Sequence, residues 1–234
     1  MCGRFTLRTP AHQLAEAFGV EVRANLAARY NIAPSQDIAV VRAAPEPDND
    51  DGGWRELTIL RWGLVPQWAR DAAMGNRMIN ARAETVAEKP AFRAAFRQRR
   101  CLIAADGFYE WRKAPDGSKQ AYFIARADDA PFAFAGLWER WRLPGAEPLE
   151  TCAIITTDAN ATLAPIHHRM PVILAAGDHD AWLDPDAPPG DALTALLRPA
   201  PPDAVIARAV GRHVNSARND DPVCIEPAAD GLLL

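Results

Sequence analysis

Short apolar or alternating segments, each closed off by Gly, Pro, Asn, Asp or Ser, recur through most of this chain and leave little room for long helices. Residues 37–42, 54–62, 101–111, 121–126, 132–138, 151–157, 170–174 and 204–210 each read as a strand, rich in β-branched and aromatic residues and bounded by turn formers. Pro115-Asp116-Gly117-Ser118 is a turn by composition. Residues 37–42 and 54–62 form a hairpin across 43–53, whose Pro, Asp and Gly content marks a surface loop. Helical signals are fewer. Thr9-Pro10 offers an N-cap followed by proline at N1, with Leu14 and Phe18 four apart on one face. Residues 89–100 place Phe92 and Phe96 on one face, with Arg93, Arg97, Arg99 and Arg100 around the rest as a solvated surface. A helix start at 158–163, a short helix at 177–183 and a proline-punctuated peripheral insert at 187–202 complete the pattern. Strands that outnumber helices and follow one another through short turns predict an α+β fold with a largely antiparallel sheet. No repeat or linker interrupts the 234 residues, so one domain over 1–234 is expected.

Charge limits what such a chain can do. The formal net charge is -4, which excludes a protein that grips nucleic acid through its overall charge. A DNA or RNA site has to be a local basic patch. No stretch approaches the roughly 18 apolar residues of a membrane span. Met1-Cys2-Gly3-Arg4-Phe5 lacks the apolar core of a signal peptide, so a cytoplasmic location (bacterial-type cytosol or nucleoid) is expected. Cys2, Cys101, Cys152 and Cys224 are scattered and form no C-x-x-C pair. That spacing suggests reduced thiols, with no metal site, disulfide framework or cofactor.

One of those thiols stands at a chemically distinctive position. Removal of Met1 is expected next to a residue as small as Cys2, and it leaves a 1,2-aminothiol whose amine and thiol are both partly deprotonated near neutral pH. Such a terminus is an acyl-transfer nucleophile. It also captures aldehydes, the amine forming a Schiff base that the sulfur closes to a five-membered thiazolidine. On position alone Cys2 is equally an incidental residue at a frayed end. Gly3, which permits close backbone approach, and Arg4, which can pair with an anion, favour an ordered terminus.

Four internal segments supply partners. Alternation along 101–111 puts Leu102, Ala104, Asp106, Phe108 and Glu110 on one face, giving Glu110 apolar neighbours and suiting it to general-acid work; a salt-bridged edge carboxylate is the alternative. In the polar run 79–85, Asn80 and Arg82 point the same way if the chain is extended, as an amide clamp and a phosphate fork; read alone, the run is a loop. His167-His168 precedes a buried strand, and either ring can be an acid–base group or a structural histidine. Adjacent rings rarely chelate one ion, so metal binding is not expected there. In Arg61-Trp62-Gly63-Leu64-Val65-Pro66-Gln67-Trp68, Trp62 reads as core and Trp68 as a surface able to stack on a base.

Taken in order, Met1-Cys2-Gly3-Arg4-Phe5, Tyr30-Asn31-Ile32-Ala33-Pro34, Trp62-Gly63-Leu64-Val65-Pro66, Asn80-Ala81-Arg82-Ala83-Glu84-Thr85, Asp106-Gly107-Phe108-Tyr109-Glu110-Trp111, Ile166-His167 through Arg169-Met170-Pro171, and Val214-Asn215 to Pro222 resemble the SRAP family (SOS response-associated peptidases, also called abasic site processing proteins). The resemblance implies one α+β domain with a twisted, barrel-like, largely antiparallel β core and peripheral helices. It further implies a covalent reaction with abasic sites in single-stranded DNA. By motif position Cys2 is the attacking residue, with Asn80, Glu110 and His167 around it. Arg4 and Arg82 hold backbone phosphates, and Trp68 flanks the DNA channel. The family most often has an acidic or small polar residue after the active histidine, where this chain has His168. Segments 43–53 and 187–202 match nothing specific. The partner expected is single-stranded DNA carrying abasic sites, bound by a monomer. A Cys2-dependent peptidase or autopeptidase, and a non-catalytic reader using Arg82, Trp68 and Arg4, are the competing expectations.

Overall fold

The computed structural model describes residues 2–22, 25–44, 54–143, 145 and 147–228. The strands in chain order are β1 (Phe5–Leu7), β2 (Arg29–Ile32), β3 (Asp37–Ala43), β4 (Arg55–Trp62), β5 (Asn80–Arg82), β6 (Arg100–Ala105), β7 (Gly107–Lys113), β8 (Lys119–Arg126), β9 (Phe132–Trp141), β10 (Leu149–Asp158), β11 (Arg169–Pro171), β12 (Ile173–Leu174) and β13 (Val205–Ala209). Every strand segment expected from the sequence is present. Most of the expected surface loop 43–53 lies outside the described residues.

β10, β4, β3, β6 and β9 pair in that order, and β9 returns to pair with β10, which closes a five-stranded barrel. β3 and β4 form the expected hairpin, from Asp37 opposite Arg61 to Ala43 opposite Arg55. Most pairings are antiparallel, but β10 runs parallel to β4 and then to β5, with Ile154 opposite Asn80 and Thr156 opposite Arg82. A second sheet has the order β13-β8-β7-β1-β2.

The segment expected as one strand over 101–111 bends at Asp106 and passes from the barrel (β6) into the second sheet (β7). Leu102 and Ala104 therefore belong to one sheet, Phe108 and Glu110 to the other. The bend is fixed by hydrogen bonds. The buried Asp106 carboxylate accepts from Thr6 Oγ1 at 2.6 Å, Thr9 N at 2.8 Å, Thr9 Oγ1 at 2.9 Å and Arg8 Nε at 3.1 Å. Gly107 follows because a Cβ there would lie 2.2 Å from the Phe123 ring.

One apolar core runs through both sheets. Phe5 of β1 meets Trp62 of β4 at 5.2 Å and Phe134 of β9 at 5.9 Å, and Phe108 of β7 meets Phe134 at 5.9 Å, all edge-to-face. Burial of each ring contributes about 1.5–3 kcal/mol. Trp62 is core, as its sequence context suggests.

The helices are short. α1 (Ala11–Phe18) buries Leu14 and Phe18, but Pro10 stands at its N-cap because the Thr9 hydroxyl is bound to Asp106. α2 (Arg93–Gln98) is shorter than the expected 89–100, since Arg100 already belongs to β6. Nor is Arg100 part of a solvated face. It is buried, and its guanidinium donates to the carbonyls of Trp182, Phe96 and Arg97 at 2.7–2.9 Å. Residues 158–163 start no helix: hydrogen-bonded turns follow over 161–166, with Ala164 N donating to Asn160 O and His167 N to Leu163 O, both at 2.9 Å, while Asn160 Oδ1 accepts from Leu163 N at 3.0 Å. α3 (His179–Leu183) is as expected. The 187–202 segment is not a peripheral insert, because α4 (Asp191–Ala195) and its flanks bury Leu193, Leu197 and Ala200 in the main core. No helix among the described residues is long and apolar enough to cross a membrane.

Candidate active site

Cys2 sits just ahead of β1, and hydrogen bonds to β7 draw this segment into the molecule. Tyr109 N donates to Arg4 O, and Asp106 N to Thr6 O, both at 3.0 Å. Cys2 is consequently fully buried, its Sγ 3.9 Å from Arg4 O. Burial pushes the thiol well above its ordinary range, and the nearby Glu110 carboxylate adds to the effect. A frayed terminus is ruled out at this residue.

Asn80 comes from β5. Read as a loop, the 79–85 run proves extended over Asn80–Arg82, with Ala81 buried between Asn80 and an exposed Arg82. Asn80 Nδ2 donates to Cys2 O at 2.9 Å, while Asn80 Oδ1 is buried with no donor among the described residues. Glu110, on β7 next to β1, is also buried.

His167 precedes β11 and is half-buried; its ring stacks on the exposed His168 with centroids 4.4 Å apart. Arg169 N donates to His167 Nδ1 at 3.0 Å. Burial lowers the His167 pKa below its ordinary value, against an opposing pull from Glu110. The same carboxylate thus acts on both the Cys2 thiol and the His167 imidazole. Cys2, Asn80, Glu110 and His167 are brought together by β1, β5, β7 and the turn before β11.

The three residues expected to hold DNA lie in different settings. Arg82 is exposed. Arg4 is half-buried, and its Nη1 donates to Asn31 Oδ1 at 2.8 Å and Val214 O at 3.0 Å. Asn31 is the residue that sequence reasoning missed. It is fully buried, its Nδ2 meets the carbonyls of Val214, Ser216 and Asn219, and so it fixes the seat of Arg4. Its place in Tyr30-Asn31-Ile32-Ala33-Pro34 was the available signal. Trp68 is 57% exposed on a loop held firmly beneath it. Val65 N donates to Thr151 Oγ1 at 2.9 Å, Trp141 Nε1 to Ala69 O at 2.8 Å, and Gly63 (φ 128°) packs so closely on Gly75 that a Cβ would lie 2.7 Å from its carbonyl oxygen.

Among the described residues, one group has metal-ligand atoms in mutual reach, His213, Asp221 and Cys224. It lies beside the seat of Arg4, since Asn31 Nδ2 and Cys224 Sγ both donate to Asn219 O. Asn219 Nδ2 faces His213 Nδ1 at 3.2 Å, and His213 Nε2 lies 3.0 Å from Asp221 Oδ2.

Comparison with known proteins identifies the family. The family model described as SOS response associated peptidase (SRAP) matches residues 1–217. The abasic site processing protein YoqW of Bacillus subtilis (strain 168) is 42% identical over 229 residues, covering 97% of this chain and 99% of that one. The abasic site processing protein HMCES of Gallus gallus is 34% identical over 87% of this chain and 67% of its own. A crystal structure of a protein from Bacteroides thetaiotaomicron superposes with a TM-score of 0.84 at 27% identity, covering 97% of this chain and all of that chain. With a family model matched over residues 1–217 and a relative 42% identical along nearly its whole length, the chain belongs to the SOS response associated peptidase (SRAP) family.

Proposed function

We propose that this protein processes abasic sites by forming a thiazolidine crosslink between Cys2, exposed by loss of Met1, and the ring-opened aldehyde of an abasic site in single-stranded DNA. The observation that carries this reading is the convergence of Asn80, Glu110 and His167 on the buried Cys2. The relatives' names as abasic site processing proteins support the substrate.

The chemistry proceeds in two steps. The Cys2 amine adds to C1′ and a water leaves, giving an imine. The thiol then adds across the C=N bond, forming C–S and leaving its proton on nitrogen, so the adduct is lighter than its parts by one water. The second step has a purpose: an imine acidifies the C2′ proton and invites β-elimination, which breaks the strand, whereas a saturated ring does not. Glu110 and His167 serve the proton transfers of ring opening and imine formation. Asn80 orients the terminus, and its buried Oδ1 is an acceptor suited to the liberated amine. Arg4 and Arg82 hold phosphates, Trp68 offers a stacking surface beside the strand, and the protein acts as a monomer.

An amine-first order suits a thiol that burial keeps protonated. Peptide hydrolysis led by a Cys2 thiolate is disfavoured by the same fact.

The test mixes purified protein with a single-stranded oligonucleotide carrying one abasic site, followed by a denaturing gel and intact mass. The expected product is protein lacking Met1 plus DNA minus one water, absent with Cys2→Ala or undamaged DNA. No adduct from protein confirmed to begin at Cys2 sinks the proposal.

A further inference from the structure

Arg169 is 7% exposed, although it is an arginine beside a site thought to meet phosphates. Its guanidinium makes a two-pronged contact with Glu84, Nη1 to Oε1 at 2.6 Å and Nη2 to Oε2 at 3.0 Å. It also donates to Asp158 Oδ1 at 2.9 Å and Thr156 O at 2.6 Å. A planar fork engaged this way fixes the position and the plane of the group, which a lysine ammonium could not do.

The main chain of the same residue touches the imidazole. Arg169 N donates to His167 Nδ1, and Arg169 O lies 3.1 Å from that nitrogen. Either the Arg169 N–H donates to Nδ1 or an Nδ1–H donates to the Arg169 carbonyl, so the Arg169 main chain holds this edge of the ring in both tautomers. Burial lowers the His167 pKa, so the neutral ring is the form present near neutral pH. Glu84, at the other end of the fork, lies in the 3-10 turn Ala83–Thr85 directly after β5, the strand that carries Asn80. β5 and β11 both pair with the C-terminal part of β10, so the fork spans that strand.

We propose that Glu84 and Arg169 are positioning residues that fix the orientation of the His167 ring and hold it in register with Asn80. The proposal deepens the crosslinking reading and rests on it for the use of His167. Neither residue touches substrate in this scheme; both act through the Arg169 main chain.

The test is nitrogen NMR of histidine-labelled protein, run beside single-turnover crosslinking to an abasic oligonucleotide. Wild type should show His167 ring signals from a single environment. Glu84→Ala should shift or split those signals and slow crosslinking on the order of tenfold, with unchanged affinity for undamaged single-stranded DNA. Glu84→Gln, which keeps one acceptor oxygen for the fork, should recover most of the wild-type signals and rate. A folded Glu84→Ala with unmoved His167 signals overturns the proposal, whatever its rate. Should Glu84→Ala fail to fold, the wild-type spectrum still decides, because His167 signals spread over several ring environments also overturn it. Shifted signals in a protein whose wild type forms no crosslink leave the positioning pair standing and remove the crosslinking reading.

Discussion

Asn80 Nδ2 donates to Cys2 O at 2.9 Å, although the two residues stand 78 positions apart in the chain. This bond comes from a strand paired parallel to β10, so barrel geometry sets where the terminus rests. Asn80→Ala should therefore slow crosslinking by as much as about 100-fold, because a displacement of roughly 1 Å has that effect on a positioned reactant. Single-turnover rates, with circular dichroism to establish folding, check it. A rate within twofold of wild type would remove Asn80 from the site.

Trp68 can be removed at little structural cost, since it is 57% exposed and its loop is anchored by Val65, Ala69 and Gly63. Trp68→Ala should weaken binding to single-stranded DNA by about 1–3 kcal/mol, the range for loss of one base-stacking aromatic. Its melting temperature should stay near that of wild type. Fluorescence anisotropy and a thermal melt separate the two effects, and unaltered affinity would place the strand elsewhere.

The lowered pKa of His167 has a defined sign. Its charged form is disfavoured in the fold, so the unfolded chain binds the proton more readily. Stability from this group is then complete above the unfolded value of about 6.5 and declines as pH falls through that value toward the lower folded one. An NMR titration of His167 should give a midpoint below about 6.5. The urea midpoint of wild type should drop more between pH 7 and 5 than that of His167→Gln. A midpoint above the ordinary value would reverse the assignment.

Gly107→Ala tests the bend between the sheets. Its methyl would meet the Phe123 ring and, at 2.9 Å, Thr6 Oγ1. Overpacking of this kind costs about 1–3 kcal/mol. β7 carries Glu110 three residues later, so crosslinking should slow along with the loss of stability. Chemical denaturation and rate measurements on the same sample check it, and a variant as stable as wild type would show that Phe123 yields freely.

How much of this was legible in the sequence follows from segment length. β3, β8, β9 and β10 have seven or more residues, enough for apolar character and flanking turns to show. β1 and β5 have three residues each, and Asn80-Ala81-Arg82 has a single apolar side chain; its pairing is supplied by β10 and could not be read locally. The bend at Asp106 was hidden because apolar residues continue on both sides of it. Arg100 was read as solvated from its arginine neighbours, whereas its environment comes from the carbonyls of Trp182 and Asp184, more than 80 positions away. The four catalytic candidates were named through ordered motifs that the SRAP family shares. Their convergence depends on closure of the barrel, and no periodicity reports that.

The barrel closes only when β9 meets β10, and the His167 turn follows later still in the chain. During synthesis Cys2 leaves the ribosome well before Glu110 and His167, which are still untranslated. At about 5–20 residues per second, roughly 10–30 seconds pass before the turn and β11 are made. A nascent chain of this protein therefore presents Cys2 without the side chains that later surround it, and the candidate site comes into being as a late product of translation.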